Sequence, residues 1–122
     1  MPKIGVSEIT AIPYDGPEML LQEMIGRAAA IKSNRLSVAK FIMEPNTSVP
    51  SHFHRASEEV YFVLDGSALM TVDDKSYPIT TGDVIMVERG ERHQVVTREG
   101  ERLEFLAITV PAYSDSDFII EA

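Results

Sequence analysis

The sequence contains no cysteine. Disulfides, thiolate catalysis and iron–sulfur clusters are therefore excluded, and any bound metal must be held by nitrogen and oxygen ligands. Long apolar runs are also missing, since none approaches the roughly 18 residues that span a bilayer. The first residues lack the basic and then apolar pattern of a signal peptide, so we expect a cytoplasmic protein with no membrane partner.

Positive charge is scarce as well. The 11 lysines and arginines are outnumbered by 19 acidic residues, which gives a formal net charge of -8. Such a surface repels a phosphate backbone and argues against a nucleic-acid partner. The 122 residues suffice for one domain with its own core, and the 44% hydrophobic share is ordinary for a globular protein.

Histidine is rare, and its placement is the strongest signal in the chain. His52 and His54 are one residue apart, and in a strand both imidazoles would point to the same face. The third histidine is His93. Glu58 and Glu59 begin a run that is apolar on both faces, so alternation alone leaves open which carboxylate joins the histidines. A lone histidine is most often a surface or hydrogen-bonded residue, but three beside a carboxylate favour a metal site.

Short apolar runs separated by turn residues predict an all-β protein from residue 36 onward. Strands are predicted at 36–43, 52–54, 60–64, 68–72, 77–79, 84–87, 93–97 and 103–110. Asp65-Gly66 is a dipeptide typical of hairpin turns, so residues 60–64 and 68–72 are expected to form a hairpin. Strands at such regular intervals are typical of a barrel or sandwich.

The first 35 residues are less regular. Residues 1–17 contain three prolines and two glycines and are expected to form an extended arm with at most one short edge strand. The composition of residues 18–31 suits a helix, but Gly26 lies in its middle and costs about 1 kcal/mol there. The β-rich surroundings favour extended structure instead. No helix is expected elsewhere.

The two histidine-bearing stretches resemble the sequence motifs of the cupin superfamily. The first has the pattern H-x-H, four residues, E, six residues, G, and runs from His52 to Gly66. The second has the pattern G, seven residues, G-x-x-H, and runs from Gly82 to His93. The resemblance covers residues 36–110, most of the chain, and its motifs are specific because ligand residues and glycines both fall at matching spacings.

The departures from the family pattern are small. The glycine that usually opens the first motif is Asn46, a residue that also tolerates a left-handed backbone. The proline of the second motif is Glu88, and its closing asparagine is Thr97. None of these differences removes a metal ligand.

The resemblance implies a double-stranded β-helix, or jelly-roll barrel, with a metal inside its mouth. Carried over by position, the ligands are His52, His54, Glu59 and His93, and the spacing to Gly66 selects Glu59 as the carboxylate. Imidazole and carboxylate suit one divalent iron, manganese, nickel, zinc or copper ion per chain. Four protein ligands on an octahedral ion leave two positions open.

Three functions are compatible with such a site. The leading hypothesis is a metal-dependent oxygenase-type enzyme, a dioxygenase-like oxidoreductase, that binds a small bidentate organic acid, enol or diketone. The first alternative is a sugar isomerase or epimerase, which needs a general base, and the sequence offers only Glu58 or Tyr61. The second alternative is a non-catalytic protein that binds a small ligand in the same pocket.

Other side chains near the motifs have competing roles. Tyr61 shares a face with the candidate carboxylate and is the candidate catalytic residue, although core packing would also explain it. Arg55, Arg89 and Arg92 could bind an anionic substrate. For these three we favour solvated loop charges.

The chain is thus expected to comprise an N-terminal arm with edge strands (1–35), a cupin barrel (36–110) and a polar C-terminal tail (111–122). The family also suggests a homodimer in which the arm packs on the partner's sheet, and the apolar stretch 19–25 would otherwise need cover. Asp115 and Asp117 are interpreted as solvated charges of a tail that ends in an apolar patch at 118–120.

Overall fold

The computed structural model describes residues 1–14 and 16–120. Asp15 of the expected arm and residues 121–122 of the expected tail lie outside the described residues. The strands are β1 (Ile12–Pro13), β2 (Met19–Gly26), β3 (Ile31–Lys32), β4 (Ser37–Met43), β5 (Thr47–Ser48), β6 (Glu58–Val72), β7 (Lys75–Thr80), β8 (Val84–Val87), β9 (His93–Thr97) and β10 (Leu103–Val110). Within the described residues the only helices are two single 3-10 turns, Val6–Glu8 and Asp115–Asp117.

The strands form two sheets that share β6. In the first sheet the order is β1, β2, β4, β10, the first part of β6 and then β8, all antiparallel, and β3 joins β2 in parallel. In the second sheet the last part of β6 lies between β7 and β9, and β5 pairs with β9. The two sheets curl around one core, so the predicted all-β jelly-roll barrel is confirmed.

The core draws its largest buried side chains from both sheets. Met43 and Leu103 of the first sheet and Met70 of the second are at most 1% exposed. Burial alternates along β10, as it must for a strand with one face on the core. Strands β8, β9 and β10 have the bounds that the apolar runs predict.

The expected hairpin at Asp65-Gly66 is wrong, because β6 runs without interruption through both residues. Its first part pairs with β10 and its last part with β7 and β9. Gly66 has a φ of 97°, and a Cβ there would lie 1.8 Å from the carbonyl oxygen of Arg102. The glycine therefore marks a bend at which one long strand passes from one sheet to the other, and the close backbone approach explains why no side chain fits.

Residues 19–26 are a strand, as the β-rich surroundings predict. Met19 and Leu21 are buried, and they face the interior of their own barrel. The apolar stretch 19–25 therefore does not need a partner chain to cover these two side chains, contrary to the expectation from sequence. The arm before it contains one short edge strand, as expected, and in addition one 3-10 turn.

The stretch 52–54 does not form the expected strand. It makes two single bridges instead, from His52 to His93 and from Phe53 to Ile119. The second bridge shows that the C-terminal tail folds back on the barrel. Within the described residues no helix has the length and apolar character needed to cross a membrane.

Candidate metal centre

Backbone pairing brings the first and last histidines together. The His52 amide donates to the His93 carbonyl at 3.0 Å, and the His93 amide donates to the His52 carbonyl at 2.8 Å. The two residues thus form an isolated antiparallel bridge, and their ring centroids lie 4.2 Å apart. Both side chains are nearly inaccessible to solvent. Two of the four candidate ligands are therefore placed by the same pair of hydrogen bonds.

The other two candidates complete a compact cluster. The carboxylate Oε1 of Glu59 lies 3.1 Å from Nε2 of His93 and 3.7 Å from Nε2 of His54. One potential ligand atom from each of the four residues lies within 4.8 Å of every other. The structure thus gathers all the candidate ligands at one buried point.

Alternation along β6 distinguishes the two glutamates. Glu59 is 7% exposed and shares the inner face with Tyr61 and Val63, whereas Phe62 and Leu64 on the outer face are 37% exposed. Glu58, on the outer face, lies away from the cluster. The inner position of Glu59 agrees with its assignment as the carboxylate ligand.

Each histidine is oriented by a backbone carbonyl. The Nδ1 atoms of His52, His54 and His93 donate to the carbonyl oxygens of Pro50, Asp117 and Glu91 at 2.8, 2.8 and 3.0 Å. A carbonyl can only accept, so Nδ1 must carry the proton, and in the neutral ring Nε2 presents a lone pair. Metal-bound imidazoles usually donate their other ring N–H to a carbonyl or carboxylate in this way, which fixes the orientation of the ring.

The charges at the cluster suit a cation. Burial and then the nearby charge of His93 lower the pKa of His52 to about 4. Burial opposes ionisation of Glu59, but the imidazoles of His54 and His93 outweigh it and lower its pKa to about 2. Burial likewise opposes the charge on His54, but the Glu59 carboxylate prevails and raises that pKa. At neutral pH the Glu59 carboxylate is therefore ionised and the His52 imidazole is neutral, which are the protonation states that these two groups need to bind a metal.

The donor atoms fit a metal better than they fit one another. Nε2 of His54 is buried and has no hydrogen-bond partner. Nε2 of His93 lies 3.1 Å from the Glu59 oxygen, and both are ligand types that a divalent metal ion accepts. A divalent cation among these atoms would satisfy all of them at once. The four residues could therefore hold a metal ion.

A cavity of about 440 Å³ opens in front of the cluster. His52, His54 and Glu59 contribute to its lining, and so does Tyr61. Burial, followed by the Glu59 carboxylate, raises the pKa of Tyr61 well above its usual range, so its hydroxyl stays protonated. The described residues that line the cavity do not include any of the arginines near the motifs; the guanidinium groups of Arg55 and Arg92 face the Phe53 ring instead.

The tail is part of the site, which the sequence did not indicate. The ring of Phe118 stacks on His52 at 4.1 Å. The carboxylate of Asp117 accepts hydrogen bonds from the amides of residues 55, 56 and 57, while its carbonyl orients His54. Asp117 is thus not a solvated tail charge but a link between the tail and the first motif. The apolar patch at 118–120 was the one available signal.

Comparison with known proteins identifies the family of the chain. A family model, Cupin domain, matches residues 39–109. The oxalate-binding protein of Thermotoga maritima is 30% identical over 93 residues, which cover 76% of this chain and 76% of that protein. The chain therefore belongs to the cupin family.

Solved structures agree with this assignment. A Thermotoga maritima protein described as a predicted oxalate decarboxylase has a TM-score of 0.80 and 27% identity, over 90% of this chain and 99% of that one. The polyketide cyclase RemF of Streptomyces resistomycificus has a TM-score of 0.77 and 25% identity, over 96% of this chain and 89% of that one. The similarity thus extends beyond the motifs to nearly the whole chain.

Proposed function

We propose that the protein is a metal-dependent enzyme of the oxygenase type, which binds a small organic molecule through a pair of oxygens. The observation that carries this proposal is the buried set of three imidazoles and one carboxylate at the end of the cavity. His52, His54, Glu59 and His93 would hold one divalent ion, with iron or manganese favoured. When bound, the metal would polarise the substrate's oxygens and activate or position dioxygen.

The protein's own groups prepare the site. Carbonyl partners hold each imidazole in the tautomer that presents Nε2, and Thr109 donates a hydrogen bond to Oε2 of Glu59 at 3.4 Å. Phe118 covers the edge of the site at His52 and limits the access of water. Tyr61, whose hydroxyl keeps its proton, is the residue we propose to donate a hydrogen bond to the bound molecule.

Two observations disfavour the sugar isomerase alternative. Such an enzyme needs a general base, but Glu58 lies on the outer face of β6 and Tyr61 is held protonated. A sugar also needs many hydrogen-bond partners, whereas the cavity is lined mostly by apolar and aromatic side chains. The non-catalytic alternative is compatible with the same pocket and has to be separated by experiment.

The names of two similar proteins mention compounds that share one chemical feature. One is an oxalate-binding protein and the other a polyketide cyclase. Oxalate and polyketides both carry pairs of oxygens that can chelate a divalent ion. These relatives therefore support a bidentate ligand at the metal, and they leave the carbon skeleton open.

The proposal is tested by oxygen consumption. Protein reconstituted with Fe(II) or Mn(II) is mixed with a panel of chelating compounds that contains oxalate, 2-oxo acids and acetylacetone, and dioxygen is followed with an electrode. We expect metal-dependent uptake with at least one class, abolished in His93→Ala and retained in the matched outer-face variant Glu58→Gln.

Two results would replace the proposal. Anaerobic turnover of an aldose or ketose by the zinc-loaded protein would favour the isomerase. Saturable binding of a chelator without turnover under any metal would favour the non-catalytic binding protein.

A further inference from the structure

The walls of the cavity restrict the class of ligand more than the metal does. Its volume of about 440 Å³ lies in the range of pockets for drug-sized molecules and far exceeds a two-carbon acid. Six of the lining side chains are aromatic: Tyr14, Phe41, Tyr61, Phe105, Tyr113 and Phe118. A small polar ligand would leave most of this surface without a contact.

One wall of the cavity is a continuous aromatic surface. The rings of Phe41 and Phe105 stack at 5.2 Å with an interplanar angle of 14°. Tyr61 lies 5.0 Å from Phe105, and Tyr14 meets Phe41 edge-on at 5.5 Å. Aromatic faces and edges of this kind favour another planar π-system over a flexible aliphatic chain.

The space beside this wall comes from the register of β10 and β4. Facing residues of the two strands form three successive rows on the inner surface, and the third row lies next to Glu59. The rows are Phe105 with Phe41, Ala107 with Ala39, and Thr109 with Ser37. Because the middle row projects only methyl groups, a trough remains between the aromatic wall and the metal cluster.

Charge at the cavity disfavours a small dianion. Among the described residues that line it, Arg27 is the only arginine or lysine, and it is exposed. The carboxylates of Glu23 and Asp115 also line the cavity. Apart from the metal, a compound such as oxalate would find little positive charge to balance its second carboxylate.

We propose that this trough, formed by Ala39, Phe41, Tyr61, Phe105 and Ala107, binds the flat, conjugated, apolar body of a ligand whose chelating oxygens reach the metal. The proposal rests on the proposed function, since it assigns the chelating end to the same four ligands. It specifies the class of compound: an aromatic or polycyclic hydroxy acid or hydroxy ketone. Ala39 and Ala107 are then the residues that determine specificity for ring size.

The test compares ligands with the same chelating group and different bodies. Isothermal titration calorimetry on the zinc-loaded full chain measures 1-hydroxy-2-naphthoate, salicylate and oxalate. We expect the naphthoate to bind about tenfold more tightly than salicylate, because the second ring adds buried apolar area, and oxalate to bind most weakly. Quenching of tyrosine fluorescence gives an independent readout, since Tyr14, Tyr61 and Tyr113 line the cavity.

Variants locate the effect in the trough. Ala107→Phe and the smaller change Ala39→Leu should each weaken naphthoate binding about tenfold and leave metal content and oxalate affinity unchanged. Leu106→Phe is the matched control, since it enlarges the neighbouring side chain of β10 on the outer face. If Ala107→Phe does not fold, Ala39→Leu carries the comparison.

The outcomes separate this proposal from the previous one. Equal affinity for naphthoate and salicylate, or full naphthoate affinity in Ala39→Leu, would overturn the trough proposal. Binding of oxalate without binding of the naphthoate would overturn it too and leave the bidentate site intact. Failure of all three compounds to bind the metal-loaded protein would overturn both proposals.

Discussion

At the scale of single residues, the candidate metal centre depends on what the histidines do with their second nitrogen. Each Nδ1 is engaged by a backbone carbonyl, so the tautomer is fixed without any side-chain partner. The carbonyls for His52 and His93 lie two residues before each ring, and the one for His54 comes from Asp117 in the tail. The remaining Nε2 atoms converge on a carboxylate that is ionised at neutral pH. The cluster is thereby prepared for a cation, and its single carboxylate is the natural point at which to test it.

Separate replacement of Glu59 and Glu58 by glutamine gives a matched pair of variants. Glu59→Gln should lower metal affinity about 10- to 100-fold, because the amide keeps the shape and removes the charge. Glu58→Gln removes the same charge on the outer face and should change affinity little. Competition with a chromogenic chelator measures both. Full affinity in Glu59→Gln together with loss in Glu58→Gln would reverse the ligand assignment.

The choice between these glutamates shows how far sequence can go at this scale. Both faces of residues 58–64 are apolar, so hydrophobic alternation could not decide which face is inner. The family spacing to Gly66 selected Glu59, and its burial beside Tyr61 and Val63 agrees. Asn46 is a similar case: it stands where the family has glycine, and its φ of 58° shows the left-handed backbone that the position requires.

At the scale of elements, the bend in β6 joins the two sheets. The amide of Ser67 donates to the same Arg102 carbonyl that a side chain at Gly66 would strike. An Asp-Gly dipeptide is a strong local signal for a hairpin, and nothing in the neighbouring sequence shows that a distant carbonyl approaches it. The sequence predicts a glycine with an unusual backbone conformation here, but it does not show that this glycine lets one strand pass from one sheet to the other.

Alanine substitutions separate backbone strain from the close approach at this bend. Gly82 has a φ of 90° and open space where a Cβ would lie, so Gly82→Ala should cost about 1–2 kcal/mol from strain alone. Gly66→Ala adds the clash with Arg102 and should cost several kcal/mol more or prevent folding. Chemical denaturation measures the difference. Equal free energies of unfolding would show that the contact with Arg102 does not constrain the bend.

The C-terminal tail is the second element that sequence did not explain. Its composition is polar, and its contacts with residues 53–57 are all distant in sequence, so no periodic pattern announces them. Only the strands with a buried face, such as β8, β9 and β10, left a signal that predicted their bounds. The tail is held instead by contacts between residues far apart in sequence, among them the Phe53–Ile119 bridge and the hydrogen bonds to the Asp117 carboxylate.

Removal of that carboxylate should loosen the tail. Asp117→Ala deletes the acceptor for three amides of residues 55–57 and should lower the free energy of unfolding by about 1–3 kcal/mol. It should also weaken metal binding: the main-chain carbonyl of residue 117, which orients His54, stays in the variant but loses the side-chain hydrogen bonds that hold it in place. Asp115→Ala removes the same charge from the same turn as a control. Identical melting temperatures and metal affinities for the two variants would contradict the role of Asp117.

At the scale of the whole molecule, the homodimer suggested by the family stays a prediction. Charged replacements at Met19 or Leu21 cannot test it, because both side chains belong to the chain's own interior. Deletion of residues 1–11 is cleaner, since it shortens the arm and spares Tyr14 at the cavity. We expect a dimer for the full chain and a monomer for the truncated one by sedimentation velocity.

Strand β8, at the opposite edge of the first sheet from β1, offers the control for this experiment. Met86 is 55% exposed on β8, away from the arm. The variant Met86→Gln should therefore sediment as the same oligomer as the unsubstituted full chain. An unchanged mass after the deletion would show that the arm does not hold the dimer together.

The central claim is that the barrel holds one divalent metal ion on three histidines and one glutamate, and the most direct test is its metal content. The metal content per chain is measured by elemental mass spectrometry. The samples are untagged protein, purified without added metal and again after reconstitution, and the variants His52→Ala and His93→Ala. We expect close to one ion of iron, manganese, nickel, zinc or copper in the parent chain. Each variant should lose most of it and keep the circular dichroism of the folded barrel. A parent chain without metal after reconstitution, or variants that retain full occupancy, would contradict the account.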